Sequence, residues 1–224
     1  NHLDNKILEI EVELNQPVTI DSVKLSYVGQ AGNDIAFTAL KETFPIKEGD
    51  ILHHGRYESA KNSLQNMALE RGYFDGQWLK HEVLIDKDTQ KAQINLQYDS
   101  GVRYKLGEVS FKHTRANQQL AIDDDLLNNL VPFKAGDDYE AEKVIKLNKV
   151  LLDSRYFNEV KVRAESGLAQ DYVVPINVQL AMDSPNQVDL GAGYATDIGA
   201  RVSATWRRSL LNRRGHSIET SSEI

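Results

Sequence analysis

The chain has 224 residues, 41% of them hydrophobic, which is enough apolar content for packed cores and fits two ordinary domains better than one large one. A formal net charge of −7 with no visible basic face argues against a nucleic-acid partner, and the lack of cysteine excludes a disulfide framework and a thiolate metal site. No stretch approaches the roughly eighteen consecutive apolar residues of a membrane-crossing helix.

Leu8, Ile10, Val12 and Leu14 alternate with Glu9, Glu11 and Glu13, predicting a half-buried strand at the very start. A chain that opens inside a sheet reads as a fragment, so a missing export signal says nothing in favour of the cytoplasm. Residues 18–28 predict a strand, 34–44 a short helix capped by Asn33 or Asp34, and 57–71 a longer helix. The longer helix puts Tyr57, Ala60, Leu64, Met67 and Ala68 on one face, and Gly72 supplies the left-handed residue that ends it. Residues 79–85 and 92–98 then pair as a hairpin.

The same order returns: a strand at 104–111, helices at 123–130 and 139–154, and strands at 159–165 and 176–180. In the first of these closing strands Val160, Val162 and Ala164 alternate with Glu159, Lys161, Arg163 and Glu165. The order reflects an internal repeat, since Ile20, Val23 and Leu25 match Leu106, Val109 and Phe111. Pro45–Asp50 matches Pro132–Asp137, Tyr57-Glu58 matches Tyr139-Glu140, and Gly72-Tyr73-Phe74 matches Arg155-Tyr156-Phe157. Each copy is an α+β module of strand, helix, helix, strand, strand, whose three-stranded sheet buries one face against two helices. Its edge keeps free N–H and C=O groups that can accept an extended segment, while charges such as Lys161 and Arg163 discourage indiscriminate pairing.

From Val188 the pattern changes. Val188, Leu190, Ala192 and Tyr194 alternate with Asp189, Gly191 and Gly193, and Ala200, Val202, Ala204 and Trp206 with Arg201, Ser203 and Thr205. Thr196–Gly199 is the turn between them, and a third strand starts at Ser217 after a basic connection. This alternation suits the first hairpin of a transmembrane barrel and equally an ordinary hairpin of a soluble sheet; its position after two repeats favours the barrel. On the barrel reading Val188, Leu190, Tyr194, Val202 and Trp206 face lipid.

Other features have plain structural explanations. His53-His54 lacks further ligands for a metal shell, Asp123-Asp124-Asp125 suits a helix start better than a calcium loop, and the recurring tyrosines and phenylalanines suit a shared core. Arg207, Arg208, Arg213 and Arg214 fit either lipid headgroups or a solvated loop. No nucleophile elbow, paired-histidine motif or phosphate loop occurs, so no enzyme, cofactor or metal site is expected.

The segments Tyr98–Gly107, Leu130–Tyr139 and Gly193–Gly199 resemble the POTRA and first-barrel-strand motifs of the TamA family of outer-membrane assembly barrels, whose superfamily includes BamA. The resemblance implies that residues 1–16 close a first POTRA module, that 17–100 and 101–182 are the second and third, and that 186–224 open the barrel. It also implies an outer-membrane protein, mainly periplasmic over this stretch, that inserts or secretes clients such as autotransporters with a TamB-like inner-membrane-anchored partner. A two-partner secretion barrel and a general BamA-type insertase are the alternatives. By the same resemblance the second strand of a module is the binding edge. That makes Val160, Lys161, Val162 and Arg163 the candidate partner-binding residues, with Lys161→Pro expected to weaken binding more than Lys161→Ala.

Overall fold

A computed structural model of the chain describes residues 16–115, 118–195 and 199–223; the expected opening strand and residues 196–198 of the expected turn lie outside these. The described residues divide into two compact units, one made of residues 16–65 with 76–99, the other of 66–75 with those from 100 onward.

In the first unit alternating apolar residues build β1 (Thr19–Val28), β2 (Gln77–Asp86) and β3 (Lys91–Asp99), in the order β1-β3-β2. β1 runs parallel to β3 and β2 antiparallel to it. Central β3 turns Ala92, Ile94, Leu96 and Tyr98 inward, all buried, against Phe37 of α1 (Ile35–Glu42) and Tyr57, Ala60 and Leu64 of α2 (His54–Glu70). Asp34 starts α1, its carboxylate accepting from the Ala36 N–H at 3.0 Å. α2 begins three residues before the apolar spacing indicates, because His53 Nδ1 accepts from the Arg56 N–H at 3.3 Å and does a capping residue's work. His54 is therefore helical and not part of a strand or loop.

The second unit repeats this plan with β4 (Lys105–His113), α3 (Asp124–Asn129), α4 (Ala141–Asp153), β5 (Phe157–Ala164) and β6 (Val173–Met182). Its strand order is β4-β6-β5, again one parallel and one antiparallel pairing, so the two copies of the repeat share one fold. Leu106, Leu127, Leu147, Leu151, Phe157, Val174, Ile176, Val178 and Leu180 form its core. Residues 66–75 belong to this unit through the Arg103 side chain, whose Nε donates to the Arg71 carbonyl at 2.9 Å and whose guanidinium reaches Asp138 and Glu140. The Phe74 ring meets Tyr104 and Tyr139 edge-on in the same place. The unit also holds a purely antiparallel sheet, β7 (Gln187–Ala195), β8 (Gly199–Arg208) and β9 (Ile218–Glu223).

Candidate functional site

The predicted partner-binding residues lie together on β5, an outer strand that among the described residues is bonded to β6 alone. Which of their main-chain groups face outward follows from two hydrogen bonds. The Leu180 carbonyl accepts from Thr114 N–H at 2.8 Å, so even-numbered residues of β6 turn their main chain toward β4. The Glu165 N–H donates to the Pro175 carbonyl at 3.1 Å, so odd-numbered ones face β5. Val160 stands opposite Leu180 and Lys161 opposite Gln179. Lys161 and Arg163 are therefore bonded into the sheet, while Val160, Val162 and Ala164 present N–H and C=O to the outside. Their side chains pack on the core, and the Lys161 side chain is half-exposed, pairing with Glu159 at 2.6 Å. The four residues thus share an edge but divide in main-chain direction, and the outward donor lies at Val162, not at Lys161.

The other edges of the two mixed sheets are partly occupied by the chain itself. On β4 the Leu106 N–H donates to Asp137 and the Leu106 carbonyl accepts from Gly136, both at 2.8 Å. On β1 Ile20 makes the matching pair with Asp50 and Gly49, also at 2.8 Å. On β2 the outward carbonyl of His81 accepts from the Tyr57 hydroxyl at 2.7 Å. Val162 is the repeat counterpart of His81, one opposite Val178 and the other opposite Leu96. Among the described residues no side chain donates to the Val162 carbonyl. The role of Tyr57 was missed from sequence, where it reads as a core residue; it is both buried and a hydrogen-bond donor to the edge.

The predicted membrane-facing residues also share one side. Pairing sets Val188 opposite Trp206, Leu190 opposite Ala204 and Ala192 opposite Val202, with Tyr194 in the same alternation. Val188, Leu190, Tyr194 and Val202 are more than 60% exposed, and Trp206 is exposed as well. Tyr194 lies six positions beyond Val188, which at ~3.3 Å per residue sets Trp206 and Tyr194 about 20 Å apart along the strands, at the two ends of an apolar band. The opposite side carries ion pairs across the strands, Arg207 to Glu219 at 2.7 Å and Arg201 to Glu223 at 3.0 Å. An apolar band with aromatic ends on one face and paired charges on the other is what a barrel wall between lipid and a wet interior requires. No described helix is long and apolar enough to cross a membrane, which leaves strands unaddressed.

The basic connection is divided too. Arg207 belongs to the charged face, whereas Arg213 Nε lies 2.8 Å from the Asp123 carboxylate. The acidic run does open α3, with Asp124 and Asp125 in its first turn, but Asp123 at the N-cap position makes no side-chain capping bond and gives its carboxylate to Arg213 instead. Among the described residues no three His, Cys, Asp or Glu side chains converge as metal ligands.

Comparison with known proteins places these features. Residues 9–101 match the model of the POTRA family, described as surface antigen variable number repeat. The crystal structure of BamA from Haemophilus ducreyi lacking POTRA domains 1–3 is 15% identical, with a TM-score of 0.65, covering 92% of this chain and 37% of that one. CdiB from Acinetobacter baumannii is 16% identical with a TM-score of 0.48, covering 99% of this chain and 41% of that one. The chain thus spans well under half the length of either protein. It carries a matched POTRA module, a second module of the same fold, and strands that resemble the start of the BamA barrel.

Proposed function

We propose that this chain is the periplasmic POTRA region and barrel start of an outer-membrane factor that assembles or secretes outer-membrane proteins, of the TamA type, and that it takes an extended segment as an added strand on β5. The observation that carries the reading is the β5 edge, where Val160, Val162 and Ala164 offer unpaired main-chain groups in the same unit as a sheet with one lipid-suited face. Main-chain pairing tolerates varied side chains, which suits a site that must receive many unfolded outer-membrane clients, autotransporters among them, or a TamB-like partner.

The test uses full-length protein in its membrane with a photo-crosslinking residue at Arg163 on the solvent-facing side of the strand. Val162→Ala and Val162→Pro both lose the valine packing, but only proline removes the outward N–H, and an outer strand tolerates proline there. Crosslinking to client or partner is expected to fall about tenfold further for proline than for alanine. Equal crosslinking from two folded variants would sink strand addition at this edge.

A further inference from the structure

We propose that Tyr156 and the connection between β8 and β9 form a coupling strap that ties the entry of β5 to the β6–β7 and β8–β9 connections. Tyr156 immediately precedes β5. Its hydroxyl donates to the Gly215 carbonyl at 2.9 Å, within the β8–β9 connection. Its own carbonyl accepts from the Asp183 N–H at 2.9 Å, within the connection from β6 to β7. One residue therefore holds the chain that enters the sheet and the chain that turns within it.

The strap lies directly on the helix layer. Gly215 has φ +82°, and a Cβ there would come within 2.5 Å of Leu126 Cδ2 and 2.8 Å of the Tyr156 hydroxyl oxygen. A side chain there would have to displace the ends of both side chains and adopt a left-handed backbone that favours glycine. The Asp123 N–H donates to the Arg213 carbonyl at 2.9 Å, Leu210 packs against the core of the unit, and Ser209 is buried. The connection is also closed on itself, with Leu211 N–H donating to the His216 carbonyl at 2.7 Å and the Asn212 carboxamide accepting from Arg214 N–H at 3.1 Å. The Arg213–Asp123 ion pair is exposed on both sides and contributes little; main-chain bonds and packing carry the contact.

The repeat explains why a tyrosine is available here. Its counterpart Tyr73 is 2% exposed and Phe74 is half-buried, whereas in the second copy Phe157 takes the core place at 3% and Tyr156 is the half-buried one. The second copy has thus turned its tyrosine from core to strap. The functional consequence rests on the strand-addition reading: a segment added to β5 acts on a strand whose preceding residue is bonded to two connections of the barrel-like sheet. The strap itself does not depend on that reading, and the test needs no bound segment.

Amide hydrogen exchange of the full-length protein in lipid would compare wild type, Tyr156→Phe, Gly215→Ala and, as a surface control, Lys146→Ala. Tyr156→Phe should speed exchange about fivefold in residues 209–216 and at the Asp123 amide, as expected for losing one hydrogen bond. Gly215→Ala should do so more strongly. In both, the amides of residues 157–159 should rise with the loop while those of β6 stay unchanged. Unchanged exchange in residues 209–216 would overturn the strap, and a loosened loop beside unchanged 157–159 amides would overturn the coupling. Neither result bears on the Val162 comparison, so failure of the strap and failure of strand addition are read separately.

Discussion

The residue that ends the longer helix of each module gives a quantitative test of the repeat. Gly72 has φ +85° and Arg155, its counterpart, φ +59°, so both copies need a left-handed residue but only one supplies glycine. That conformation costs a non-glycine residue about 1–2 kcal/mol, while glycine loses roughly 0.5–1 kcal/mol more entropy on folding than alanine. Arg155→Gly should accordingly stabilise the second unit by about 0.5 kcal/mol, the small difference of the two. Gly72→Ala faces the same near-balance plus a collision, because its Cβ would sit 2.7 Å from the Cβ of Tyr139. That atom cannot swing away without moving its own backbone, so overpacking of about 1–3 kcal/mol decides the outcome. The two-unit chain need not unfold in one step, so native-state hydrogen exchange at Leu147, Leu151 and Ile176 is the suitable measurement. A Gly72→Ala variant within about 0.5 kcal/mol of wild type, or an Arg155→Gly variant less stable than wild type, would refute the reasoning.

Three further outcomes are expected. Tyr57→Phe keeps the ring in the core but frees the His81 carbonyl, which should cost the first unit about 1 kcal/mol by urea unfolding and raise crosslinking from a probe at Glu82 on the β2 edge. Burial pushes the Tyr27 phenol up from 10.0 to about 12, so the folded state holds this proton more tightly than the unfolded one. Its contribution is complete below pH 10.0 and is lost as pH rises toward about 12; Tyr27→Phe should flatten that alkaline fall in unfolding free energy. On β8, Val202→Lys and Ser203→Lys place the same charge on opposite faces of adjacent positions, and Ser203 stands opposite Glu223. Val202→Lys should reduce folding into lipid vesicles by about 2–4 kcal/mol and Ser203→Lys by far less; equal effects would exclude a lipid-facing side.

Much of the fold was legible because side-chain burial has a period that the sequence records. The alternation of Ala92, Ile94, Leu96 and Tyr98, the matched Pro45 and Pro132 turns and the glycine at 72 each specify a local geometry, and the structure carries all of them. Main-chain direction is different. Side chains alternate above and below a sheet, whereas N–H and C=O alternate from side to side within its plane, and only the pairing partners decide which residues point outward. Lys161 therefore looked like the natural site for a proline test, yet the bonds at Thr114 and Glu165 turn its main chain inward. Long-range polar contacts were hidden for a related reason. Nothing in the run from Arg207 to Gly215 announces that Arg207 belongs to a cross-strand ladder while Arg213 reaches Asp123, 90 residues away in sequence.

On the proposed strand addition at β5, the covering of the other edges would make that edge selective. A three-stranded sheet has two edges, and two such sheets would offer four equivalent places for an extended chain. The 49–52 segment covers part of β1, the 136–139 segment covers part of β4, and the Tyr57 hydroxyl engages β2. The repeat would place Tyr139 where Tyr57 stands, but the ring of Tyr139 is packed 4.9 Å from Phe74, a residue of the segment that joins this unit from the end of α2. The same packing that places residues 66–75 in the second unit thus accompanies an uncapped β5. Charge would then limit what that edge accepts: Lys161 and Arg163 stand on the exposed side of the strand, so a segment added there would meet two cations, one of them already paired with Glu159. On the proposed strand addition, a strand with acidic or neutral side chains at the facing positions is expected to join β5 more readily than a basic one, because like charges directly opposite each other weaken a strand pair by roughly 0.2–1 kcal/mol; equal crosslinking of acidic and basic peptides to β5 would refute this.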